Sequence, residues 1–101
     1  MSYRSVFQPD LFKGHVYIVT GGGSGIGRCT AHELAALGAR VALVGRKQEK
    51  VDAVKAEITE DGGIASAHVC DIREEESVKA TVAAIIAEHG SLNGVVNNAG
   101  G

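Results

Sequence analysis

One segment limits the fold of this chain more than any other. Thr20-Gly21-Gly22-Gly23-Ser24-Gly25-Ile26-Gly27 sets five glycines between an apolar, β-branched run and an amphipathic stretch. The run His15 to Thr20 (HVYIVT) predicts a buried strand. Ile26 to Leu37 predicts a helix, with Ile26, Cys29, Thr30, Leu34 and Leu37 on its apolar face and Gly38 as a left-handed cap. A strand that turns directly into a helix needs backbone angles that glycine adopts at little cost. Without Cβ atoms the turn also lets an anion reach the N–H groups of the helix start, where the dipole favours negative charge.

The same alternation continues. Arg40 to Gly45 predicts a second buried strand, and Lys47 to Asp61 a helix with Val51, Val54 and Ile58 on one side, ended by Gly62–Gly63. Ile64 to Cys70 is expected as a third strand. Glu74 to His89 is expected as a third helix, with Val78, Val82, Ile85 and Ile86 inward and Gly90 closing it. Leu92 to Asn97 is expected as a fourth strand. Strict β-α alternation implies a parallel sheet with right-handed crossovers. The fold class expected is therefore α/β, the first half of a Rossmann-type, doubly wound sheet with strand order 3-2-1-4. Residues 1–14 read as an N-terminal arm and residues 15–101 as the dinucleotide-binding segment. Two helices are expected on one face of the sheet and one on the other.

The glycine pattern discriminates among nucleotide loops. It does not fit G-x-G-x-x-G counted from Gly21, because Ile26 stands at the third glycine. No Gly-Lys-Ser/Thr follows, so it is no Walker loop. It fits T-G-x-x-x-G-x-G, with glycines at 21, 25 and 27. In this it closely resembles the nucleotide-binding half of short-chain dehydrogenases/reductases. Epimerase-type relatives usually carry T-G-x-x-G-x-x-G, which would require glycine where Ser24 stands. Gly21, Gly23, Ser24, Gly25, Ile26 and Gly27 are thus expected to hold the cofactor diphosphate. The plain alternative is a glycine turn with no ligand.

About 20 residues past the glycines, an Asp or Glu selects NAD by accepting from the adenosine ribose. Here the second strand ends Val44-Gly45-Arg46-Lys47, with no acid before Glu49. Gly45 takes the acid's place and Arg46 follows it. A guanidinium can hold a 2′-phosphate through charge-assisted bonds of about 1.5–3 kcal/mol. NADP is therefore the expected cofactor, with Lys47 adding a weaker point charge. Arg46 and Lys47 could instead only solvate a helix start, although cations are unfavourable there. In the resemblance, Asp71 accepts from the adenine amino group and the Ile72 backbone meets the ring. Asp71 could equally cap the next helix. Asn97-Asn98-Ala99-Gly100 matches the family's N-N-A-G signature, and by resemblance Asn98, Ala99 and Gly100 touch the adenosine side of the cofactor.

The resemblance also implies what the chain does not contain. Family catalysis uses a Ser and a Tyr-x-x-x-Lys pair beyond N-N-A-G. Tyr3 and Tyr17 precede the loop and have Phe7 and Gly21 four positions on, so no catalytic residue is assigned. The chain is expected to be a segment of a longer enzyme that transfers hydride between NADP(H) and a small-molecule carbonyl, alcohol or enoyl-CoA-type substrate. Pro9-Asp10-Leu11-Phe12 and the glycine after N-N-A-G resemble the enoyl-CoA and dienoyl-CoA reductase branch. A homo-tetramer is implied by the family. The alternatives are a non-catalytic NAD(P)-sensing module and an S-adenosylmethionine-dependent methyltransferase, which would want an acid at the end of the second strand.

Composition excludes other classes. Ten Lys+Arg against twelve Asp+Glu give a net charge of −2, with no electrostatic footprint for nucleic acid or an anionic membrane. No apolar run approaches the ~20 residues of a membrane span, and no secretory signal is visible, so a cytoplasmic protein is expected. His15, His32, His68 and His89 lack metal-ligand spacing. Cys29 and Cys70 read as buried small hydrophobes.

Overall fold

Val41, Ala42, Leu43 and Val44 are all buried. A strand achieves this over four successive residues only when both its faces are covered. In a computed structural model of the protein, which describes residues 11–21, 25–71 and 73–97, this run is the heart of β2 (Arg40–Gly45). Around it the chain forms β1 (Val16–Thr20), α1 (Gly25–Ala36), α2 (Gln48–Glu60), β3 (Ile64–Val69), α3 (Glu75–His89) and β4 (Gly94–Val96). All pairings are parallel and the strand order is β3-β2-β1-β4, as the alternation of elements predicts. The chain thus has the α/β, Rossmann-like arrangement of the first half of a doubly wound sheet.

Strand periodicity sorts the core into two layers. Val19, Val41 and Leu43 turn to one face, where Ala31 of α1 and Val51, Val54 and Ile58 of α2 cover them. Val16, Ile18, Ala42 and Val44 turn to the other, beneath Ile85 of α3 and the partly buried Val78, Val82 and Leu92. The expected two-and-one division of helices holds. Gly38 and Gly90 take left-handed angles (φ 93° and 84°) where the helix ends were expected.

Several apolar assignments need correction. In α1 the buried residues are Gly27, Ala31 and His32, not Ile26, which is 75% exposed, nor Cys29, which is also exposed. Gly27 and Ala31 lie one turn apart, and a helix that approaches a sheet closely has room only for small residues on that line. In α3, Ile86 is 42% exposed because it lies one residue, about 100° of rotation, beyond buried Ile85. Cys70 is buried as expected. The fourth strand is shorter than expected. Val95 is 57% exposed, and the Tyr17 ring covers Gly94 so closely that a Cβ there would lie 2.8 Å from Tyr17 Cε1.

Polar contacts fasten the elements to one another at two points. Arg28 of α1 donates to both carboxylate oxygens of Glu57 in α2 (2.9 and 2.7 Å), and buried His32 Nε2 lies 2.8 Å from Glu57 Oε1. On the opposite face the buried Ser66 hydroxyl lies 2.8 Å from both His68 Nε2 and His89 Nε2, joining β3 to α3. Burial pushes the His68 pKa down. Before β1, the Phe12 N–H donates to the Leu37 carbonyl at 2.8 Å, and the Phe12 ring meets Tyr17 edge-on. Among the described residues no helix is long and apolar enough to cross a membrane, and no three His, Cys, Asp or Glu side chains gather as a metal site.

Hydrogen bonds from Arg28 and then His32 hold the Glu57 carboxyl at a pKa of about 2. A carboxylate with a depressed folded-state pKa stabilises the fold above its unfolded value, and this contribution fades as pH falls through the folded value. Native protein is therefore expected to lose stability between about pH 4.5 and 2. Glu57→Gln is expected to be about 1–3 kcal/mol less stable at pH 7 and to show a flatter acid limb in urea titrations. Parallel acid limbs would sink this account.

Candidate functional site

Parallel strands finish at the same edge of a sheet, and here four ends meet. The Gly21 N–H donates to Val44 O (2.9 Å), fastening the turn after β1 to the end of β2. The Cys70 N–H donates to Gly45 O (3.0 Å), fastening the end of β3 to β2. The Thr20 hydroxyl lies 3.3 Å from Val96 O and 3.1 Å from Asn97 Oδ1, tying β1 to β4. The edge therefore gathers Gly21, Gly25, Gly27, Arg46, Lys47 and Asp71 from the residues singled out in the sequence. Gly23, Ser24, Ile72, Asn98, Ala99 and Gly100 lie outside the described residues.

Gly21 and Gly25, on either side of the glycine turn, take φ of 65° and 60°, in the left-handed region. A Cβ on Gly25 would meet nothing within 4 Å, so the space beside the first turn of α1 is open. Gly27 is buried. Ile26 is exposed beside this space rather than packed against the sheet.

At the end of β2, Arg46 and Lys47 are both exposed. Lys47 occupies the N-cap of α2 in extended conformation, with no side-chain cap bond. Gly45 has a packing reason for its identity, since a Cβ there would lie 3.0 Å from Val51 Cγ1. Absence of an acid at 45 thus reflects the close approach of α2 as well as any ligand.

Asp71 is held by Arg73. Oδ1 accepts from the Arg73 backbone N–H and Nε–H (both 3.0 Å), and Oδ2 accepts from Nη2 (2.9 Å). The Arg73 side-chain bonds, then its backbone bond, bring the Asp71 pKa down to about 2, and Arg46 adds to the pull. Asp71 does not cap the next helix, the alternative left open by sequence. Glu74 is the N-cap of α3, and Asp71 serves it only through its carbonyl (3.0 Å).

Two contributors escaped the sequence reading. Thr20 heads the T-G motif, yet roles are assigned only to the residues that follow it, Gly21 and Gly23 to Gly27. Asn97 precedes the expected contact Asn98 and bonds Thr20 instead. Their signal was the pairing of Thr-Gly on one strand with Asn-Asn on another, legible only once β1 and β4 are known to be neighbours.

The family model described as short chain dehydrogenase matches residues 15–101. The chain is 65% identical to a citronellol catabolism dehydrogenase (AtuB) of Pseudomonas aeruginosa PAO1 (TM-score 0.91, 94% of this chain and 40% of that one). It is 43% identical to a metagenomic short-chain oxidoreductase in complex with NADP (TM-score 0.84, 88% and 40%). It is 37% identical to an NAD+-bound xylitol dehydrogenase (TM-score 0.86, 90% and 35%). The chain spans about a third of the length of the curated relatives it matches.

Because Gly25 combines φ of 60° with open space, Gly25→Ala isolates backbone strain from steric clash. It is expected to cost about 1–2 kcal/mol in urea unfolding. An unchanged midpoint would mean that the turn does not need this conformation.

Proposed function

The chain belongs to the short-chain dehydrogenase family, and on that premise we propose that it forms the cofactor-binding portion of an NADP(H)-dependent oxidoreductase. Family membership carries nicotinamide-cofactor binding and a small-molecule substrate. The choice of NADP is the finer reading, and one observation carries it. The edge offers an exposed guanidinium at Arg46 and no acid from Val44 to Lys47. Similarity to an NADP-bound relative supports this reading; an NAD+-bound relative stands on the other side.

The residues present fit such a cofactor. Open space at Gly25, beside the first turn of α1, suits the approach of a diphosphate to backbone N–H groups. Gly23, Ser24, Ile26 and Gly27 would complete that cradle. Arg46, with Lys47 beside it, would hold the 2′-phosphate. A carboxylate oxygen offers about two acceptor positions. Arg73 takes two at Oδ1 and one at Oδ2, which leaves Oδ2 a position for the adenine amino group. Ile72, Asn98, Ala99 and Gly100 would line the adenosine side. The bound cofactor supplies or accepts the hydride; these residues bind and orient it.

The substrate side of the reaction is assigned to residues this chain does not contain, the family's Ser and Tyr-x-x-x-Lys. High identity with a protein named for citronellol catabolism supports an alcohol–carbonyl pair as substrate. An enoyl-CoA-type substrate rests on the likeness of Pro9-Asp10-Leu11-Phe12, the loop it leads into and the glycine after N-N-A-G. A homo-tetramer in the cytoplasm is the assembly and compartment proposed.

Titration with NADPH and NADH, followed by nicotinamide fluorescence, tests the cofactor reading. The protein is expected to prefer NADPH by about 10- to 100-fold, and Arg46→Ala to remove most of that preference while leaving NADH binding within about twofold. A ratio untouched by Arg46→Ala would overturn it. Failure to bind either dinucleotide would favour a different role for the module.

A further inference from the structure

Arg73 has no part in the cofactor contacts above, yet it holds Asp71 through three bonds, two of them a fork from its guanidinium. Its side chain is 74% exposed. Fixing a long exposed side chain this way restricts its rotamers and adds little to stability. The position of the pair is more informative. The Cys70–Gly45 bond joins the ends of β3 and β2, so the Asp71 carboxylate feels Arg46 as well as Arg73. A carboxylate paired with one guanidinium thus lies within the field of a second, at the edge assigned to a phosphate dianion. Left alone, it would repel that dianion.

We propose that Arg73 is a positioning residue for cofactor choice: by pairing with Asp71 it cancels the carboxylate charge beside Arg46, keeps the edge positive for the ribose 2′-phosphate, and leaves one Oδ2 position open to the adenine amino group. Arg46, Lys47, Asp71 and Arg73 together carry a formal +2; without Arg73 they carry +1. The fork also fixes the carboxylate plane, which a lysine would not do. This inference rests on the NADP reading and adds a second determinant to it.

The test measures NADPH and NADH dissociation constants for the native protein, Arg73→Gln, Arg73→Lys, Asp71→Asn and the Asp71→Asn/Arg73→Gln double variant. At low ionic strength Arg73→Gln is expected to weaken NADPH about three- to tenfold and NADH less than about twofold. The difference is expected to vanish near 1 M salt, where charges are screened within about 3 Å. Arg73→Lys is expected to recover part of the loss. Asp71→Asn is expected to raise the NADPH-over-NADH preference, and the double variant to return it to about the native value, because Arg46 and Lys47 alone carry the same formal +2 as the native set. Equal weakening of both cofactors would mark a purely structural role and overturn the proposal. A double variant whose preference stays as low as that of Arg73→Gln would overturn it as well, by showing direct contact with the phosphate. The circular dichroism spectrum and urea midpoint serve as the control for folding in every variant, because Asp71 is placed against the adenine of both cofactors. A native preference near unity would remove the NADP reading itself, and is recognised from the unmutated protein alone.

Discussion

The in-register pairing of β1 with β2 is the constraint on which the other features depend. Val16 opposes Arg40 and Thr20 opposes Val44, so the two central strands end nearly flush. The next amide, that of Gly21, closes onto Val44 O. A shift of one residue would turn Val41 and Leu43 away from α1 and α2 and set Ala42 and Val44 against those helices instead, breaking the packing of both layers. It would also move the glycine turn away from Arg46. The burial that stabilises the sheet and the alignment that assembles the site are therefore one requirement. Neither can drift without the other.

Much of this was legible in the sequence because the signals were strong and local. The β-branched runs ended by glycine located the strands, and the order of elements constrained the topology. The sided pattern Val51, Val54, Ile58 was read correctly because α2 is amphipathic. Where reading failed, the cause was packing between elements. In α1 the helix lies so close to the sheet that Gly27 and Ala31 are the inward residues, and hydrophobicity is a poor guide when small size decides. Ile86 shows the opposite error, an apolar residue left outward because a single helix covers only a narrow stripe. At the site, the residue types were visible but their partnerships were not. Nothing in the spacing Asp71-x-Arg73 distinguishes a forked pair from two solvated charges.

Two carboxylates are held near the same low pKa by arginine, yet their settings differ. Glu57 joins two helices and receives a buried histidine besides Arg28. Asp71 joins nothing but the turn that carries it, and lies at the convergent strand ends. The first is a fastening between two helices of one layer. The second has meaning mainly through what approaches that edge. A low carboxylate pKa alone would not have told them apart; the elements each residue connects do.

Ser66 has a consequence of a different kind. Its hydroxyl lies between two imidazole nitrogens but owns a single hydrogen. With both rings neutral, His68 and His89 cannot both offer it a lone pair: the hydroxyl can donate to one ring only, and at least one ring must donate an N–H to it. If the hydroxyl donates to one ring, swinging it to the other while keeping both bonds obliges the two rings to exchange forms together. The far edge of the sheet thus couples the proton positions of a strand and a helix through one rotor.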